Sequence, residues 1–268
     1  MDNALFPTIA TVPTAEAGHT GLWHHSLVSY ILIFGAVIAG QVSLFYKPNL
    51  GAYLTAAALA LLMGIATLSD VNRKLALSAA IIPLLSMINL SIVQQSAFEQ
   101  TAILYSSMLV LALAYRFILA PGTTPVNSHL SLRGYLGSLS LMAIVGALLG
   151  LLGYKLLINS YIFGGTRFWQ VIIVAIVGAC AEEALFRGLI QRQATQLMRP
   201  VYAAALTSLL YLTLSSSHFT GWSLLVGAVS SATLSTIYVI KPNLILTTTL
   251  NLASKLIYIG LVASFVLR

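Results

Sequence analysis

The apolar positions of this chain gather into runs rather than alternating with polar ones. The runs lie near 26–46, 50–68, 75–93, 101–119, 135–158, 169–198, 201–218, 222–240 and 243–266. Each is close to the ~20 residues that an α-helix needs to cross a bilayer. Closely spaced runs of this kind predict helices, because the strands of a membrane barrel would alternate. The expectation is an all-α, polytopic transmembrane helical bundle of about nine spans. Eight is a competing count, because the first linker, Lys47-Pro48-Asn49, is so short. No internal repeat or low-complexity tract is visible.

Polar and helix-breaking residues divide the pattern. Residues 1–25, with Pro7, Pro13, Gly18, Gly21 and the His24-His25 pair, read as a tail outside or along the membrane surface. That histidine pair reads as interfacial rather than metal-binding. Residues 26–119 form N-terminal helices to which no role can be assigned; Asn89, Gln94 and Gln95 read as packing or interfacial groups. The segment 120–134, rich in proline, glycine and small polar residues, is the best boundary, because such residues break helices. A second bundle, 135–268, follows.

Composition narrows the class further. The chain is 59% hydrophobic and 7% charged, against roughly 25% charged for a soluble domain. There is too little polar surface to cover a soluble core. A net charge of +7 raises nucleic acid as a partner, but the basic residues are spread among the loops, where they mark topology instead. With the N-terminus inside, the loops holding Arg73, Lys74, Arg133, Arg192, Arg199 and Lys241 are cytoplasmic, and Lys47, Arg167 and Arg268 lie opposite. The single Cys180 excludes an intramolecular disulfide.

The chemistry concentrates after residue 120. Glu182 and Glu183 sit side by side in an apolar run, with Arg187 four residues on. A carboxylate in hydrocarbon costs ~2.5–3.5 kcal/mol on insertion scales, so the pair points to a polar site built inside the membrane. On an α-helix Glu183 and Arg187 share a face, while Glu182 points about 100° away. The arginine then holds one carboxylate ionised and leaves the other free for acid–base work. The competing reading is a structural ion pair between helices.

His218 closes the run Leu214-Ser-Ser-Ser-His218. If Arg199-Pro200 turns the chain between antiparallel helices, His218 and Glu183 both lie roughly 22–26 Å from the turn, at similar height. The run 169–198 is long enough for its C-terminal end to project into the cytoplasm, which predicts a shallow site reached by water from that side. In the last span Thr247, Asn251 and Lys255 recur at four-residue spacing and line one face. An asparagine amide there suits an oxyanion donor or, equally, an interhelical hydrogen bond. Lys255, near mid-span, is expected to pair with a carboxylate. Ser215, Ser216, Ser217 and Cys180 read as small packing residues rather than nucleophiles. No His-Glu-x-x-His is present, so zinc is not implied.

Together these residues resemble the CPBP family of CAAX-prenyl-protease and bacteriocin-processing membrane endopeptidases, also called glutamic-type intramembrane proteases. The Glu-Glu-x-x-x-Arg motif is Glu182-Glu183-Ala-Leu-Phe-Arg187, Phe-x-x-x-His is Leu214-Ser-Ser-Ser-His218, and His-x-x-x-Asn is Thr247-Thr-Thr-Leu-Asn251. The resemblance covers about residues 165–262. It implies an intramembrane endopeptidase in which Glu182 and His218 activate water, Arg187 orients Glu183, and Asn251 stabilises the oxyanion. No metal or organic cofactor is implied. The implied partners are the lipid bilayer and a membrane protein or a lipidated or hydrophobic peptide substrate; nucleic acid is not among them. The setting is multi-pass in a bacterial or archaeal plasma membrane.

Two positions depart from the motifs. Leu214 replaces phenylalanine, a packing change. Thr247 replaces a histidine that helps form the oxyanion site, a loss for which Lys255, two turns along the same face, is a candidate substitute. The departure keeps two other classes open. One is a catalytically impaired relative acting as a membrane regulatory or immunity protein. The other is a transporter using the glutamates as a proton or cation site.

Overall fold

A computed structural model describes residues 22–92, 94–119, 132–157, 168–215 and 222–266. Among them there is no strand. The helices are α1 (Leu22–Tyr46), α2 (Pro48–Leu68), α3 (Asp70–Ser91), α4 (Ala97–Ala114), α5 (Leu132–Leu157), α6 (Phe168–Glu182), α7 (Arg192–Leu197), α8 (Pro200–Ser215), α9 (Trp222–Ile240) and α10 (Leu244–Val266). A π-helical turn, Tyr115–Leu119, extends α4, and a longer π segment, Glu183–Gln191, joins α6 to α7 without a break. The described residues therefore fall into nine continuous helical runs, as the apolar pattern predicts. Among the described residues six helices are long and apolar enough to cross a membrane, and three shorter apolar stretches, Val28–Leu44, Pro200–Leu214 and Leu224–Ile240, accompany them.

At α3 and α4 capping starts the helix four or five residues before the apolar run. Ser69 accepts from the Asn72 amide at the start of α3, and Asp70 pairs with Arg73 at 2.8 Å. Charge that reads as loop is thus the first turn of a helix. At α4, Ser96 and Glu99 form a reciprocal capping box, which starts the helix at Ala97.

The connection of α1 to α2 is Lys47 alone, and that of α2 to α3 is Ser69 alone, so neighbouring helices run antiparallel. Three hydrogen bonds tie one end of the bundle together: Tyr30 Oη to the Leu197 carbonyl (3.3 Å), Tyr115 Oη to the Lys74 carbonyl (2.7 Å) and Lys241 Nζ to Ser138 Oγ (3.2 Å). Arg73, Lys74, Arg116, Arg192, Arg199 and Lys241 all belong to this basic end.

The run α6–π–α7 is the central rod, packed by α3, α4, α8, α9 and α10. Its buried side chains Ala181, Leu185, Phe186, Leu189 and Ile190 join a core with Ile33, Phe34, Leu75, Ile82, Met108 and Leu210. On the far side α10 lies against α5. Gly146 and Gly150 let the two backbones approach: a Cβ at either would overlap α10 atoms, at the Leu250 and Ser254 carbonyls respectively. Small residues spaced in this way are the usual device for close helix packing in lipid. The approach fixes the height of Asn251 and Lys255 beside the rod.

Candidate active site

The residue with the largest wholly buried side chain is a charged one, Arg187. Around it the structure brings together Glu182, Glu183, Thr247, Asn251 and Lys255, five of the residues singled out from sequence. His218 lies outside the described residues.

The backbone at the site is wider than an α-helix. From Glu183 to Gln191 the chain is π-helical, so a four-residue step falls slightly short of one turn and Glu183, Arg187 and Gln191 stack along one face. Arg187 Nη1 stands 3.5 Å from Glu183 Oε1, both side chains at most 1% exposed. Its Nη2 donates to the Ser231 carbonyl on α9 at 3.2 Å. One π turn on, Gln191 Nε2 donates to the Ser235 carbonyl at 2.9 Å. The guanidinium also lies 5.1 Å from the Tyr211 ring centre, and that ring meets Phe186 edge-on at 5.1 Å. Arg187 is thereby held by three elements at once.

The expectation that Arg187 holds one glutamate while the other stays free is half met. Arg187 does hold Glu183, but Glu182 is the more heavily bonded of the two. Lys255 Nζ reaches Glu182 Oε1 at 2.9 Å. Tyr211 Oη donates to Oε2 at 3.0 Å, and Asn251 Nδ2 donates to the same oxygen at 3.0 Å. The physical reason is that a second carboxylate beside the first, in hydrocarbon, needs a second cation. Lys255, on the face that sequence spacing assigns it, supplies that cation.

Asn251 is the hinge of the arrangement. Its Nδ2 donates to both carboxylates, at 3.0 Å to Glu182 and 3.1 Å to Glu183. Both amide protons are thus spent on the glutamates, and an oxyanion role requires Asn251 to release one of them. Thr247 is buried beside Glu183, and its hydroxyl donates to the Leu244 carbonyl at 3.2 Å. Glu183 Oε2 and Arg187 Nε have no hydrogen-bond partner among the described residues.

Along the rod Glu182 lies fifteen residues before Leu197, so the carboxylates stand well back from the basic end. The least buried member of the cluster is Lys255, at 22%, against 7% for Glu182 and 1% for Glu183.

Two residues of the cluster carry no motif. Tyr211 lies on α8, seven residues before His218 in the sequence, where an aromatic reads as packing. Tyr105 comes from α4, where it accepts a hydrogen bond from Lys255 Nζ at 3.3 Å; no local pattern marks it out.

Residues 164–257 match the family model of Rce1-like, type II CAAX prenyl endopeptidase Rce1-like proteins. The matched segment spans the positions of all three motifs, with Leu214 and Thr247 departing from them, and the resemblance to the CPBP family is borne out over it. At family level the match supports a CAAX-type intramembrane protease, and with the six apolar helices an integral membrane protein. No curated protein and no solved structure matches the chain.

Proposed function

We propose that the protein is an intramembrane endopeptidase. Its substrate is a protein or peptide presented at the membrane, with a lipid-modified or hydrophobic C-terminal segment. The observation that carries this reading is the pair of buried carboxylates, each with its own cation and joined by one amide. Such a pair gives two carboxyl groups in different surroundings, the condition for dividing acid–base roles.

In this reading Glu182 is the general base. It is kept ionised by Lys255, and it is less buried than Glu183, which is sealed against Arg187. Water activated by Glu182, with His218 in the role the family resemblance implies, gives its proton to the carboxylate as its oxygen attacks the peptide carbonyl. Asn251, turned from the glutamates, meets the developing oxyanion, with the Thr247 hydroxyl and the Lys255 charge beside it. Glu182 then returns the proton to the leaving amine. Arg187 fixes Glu183, and through Asn251 the two carboxylates keep their relative position.

A second reading has one observation in its favour. Three donors on Glu182 suit a non-catalytic family member that regulates a membrane partner or confers immunity. The test is a purified full-length protein in lipid nanodiscs with a peptide ending in a farnesylated cysteine and three further residues. The expected result is release of the tripeptide, with Glu182→Gln lowering kcat by roughly 10²–10⁴, the worth of a general base. Equal rates from both forms would remove Glu182 from the chemistry. No release by wild type, with biological function preserved in Glu182→Gln, would favour the regulatory reading.

A further inference from the structure

The matched segment leaves α4 out, yet α4 reaches the site. We propose that Tyr105 is a positioning residue that pins the Lys255 ammonium onto Glu182. The kinetic part of this proposal rests on the endopeptidase reading; the contact itself does not.

Lysine is a compact charge on a flexible four-carbon stem. Lys255 is 22% exposed, so its stem has room to swing away from the carboxylate. Two contacts oppose that. Its Nζ donates to Glu182 Oε1 at 2.9 Å and to Tyr105 Oη at 3.3 Å, and it lies 5.1 Å from the Tyr105 ring centre. The phenol oxygen accepts from the ammonium, so the two contacts hold Nζ between Tyr105 and Glu182. Helices α4 and α10 both pack on α6, and this hydrogen bond joins them across it.

The seat of the ring is built into the rod. Gly178 lies one turn before Glu182, and a Cβ there would stand 2.6 Å from Tyr105 Cε2. Any larger residue displaces the ring, and with it the hydroxyl. A tyrosine that served only as packing would need the ring alone. The proposal instead assigns the effect to the hydroxyl.

The experiment compares wild type, Tyr105→Phe, Lys255→Met and the double variant, all full-length in nanodiscs, with two readouts. The first is adduct formation at Glu182 by dicyclohexylcarbodiimide, which consumes the protonated acid and so reports a carboxylate that has lost its cation. Tyr105→Phe is expected to raise the adduct rate several-fold, and the double variant to go no further than Lys255→Met. The second is cleavage of the farnesylated peptide. Tyr105→Phe is expected to lower kcat roughly tenfold with KM unchanged, the worth of a charge-assisted hydrogen bond. Wild-type labelling in Tyr105→Phe, or effects that multiply in the double variant, would overturn the proposal. A rise in labelling without cleavage by any form would sustain it and sink the endopeptidase reading.

Discussion

Every charged residue of the site has a countercharge within hydrogen-bonding or ion-pair range: Arg187 for Glu183, Lys255 for Glu182. The two pairs differ in what their loss should do. Arg187 is sealed, so Arg187→Leu leaves Glu183 uncompensated and is expected to cost ~3–5 kcal/mol, read as poor yield of folded protein and a lowered Tm. Lys255 is part-exposed, so Lys255→Met is expected to lower Tm less than Arg187→Leu and to slow cleavage; intact cleavage would exclude it from the site. Asn251→Ala is expected to lower kcat ~10²–10³, the cost of losing one oxyanion donor. These residues were legible because a charge or amide in an apolar run is costly enough to need a partner. Tyr105 and Tyr211 were not, since an aromatic in a membrane helix is first of all packing. Ser231 and Ser235 act through their carbonyls, which no side-chain pattern reveals.

At the scale of elements, apolar run length located nine helical runs to within a few residues. It failed where capping overrode it, at Asp70 and Ala97. It also could not distinguish α from π winding at Glu183–Gln191, because nine residues contain too few turns for the two periods to diverge. The other feature hidden in plain apolar sequence is the Gly146–Gly150 seam against α10. Gly146→Leu should force α10 outward at a cost of ~1–3 kcal/mol. The expected readout is a lower Tm together with slower cleavage, although the substitution touches no ionisable group. Unchanged Tm would mean that the seam does not hold α10 in place.

The whole molecule is organised around one rod, α6–π–α7, whose surroundings come from both halves of the chain. The N-terminal helices had no readable role in sequence, since their polar residues form no motif. In the fold, α3 and α4 cover the rod and Tyr105 joins the carboxylate cluster. The halves are therefore expected to need each other. Residues 126–268 alone should be unstable, and co-expression with residues 1–125 should restore stability and cleavage. The central claim, that Glu182 activates water for peptide-bond hydrolysis, is tested most directly in cells. The measurement is quantitative mapping of protein termini in membranes of cells lacking this protein, complemented with wild type or with Glu182→Gln. The account predicts a membrane-protein terminus generated only with wild type, which also names the substrate. Identical termini with the two forms, alongside full restoration of the cells by Glu182→Gln, would contradict it.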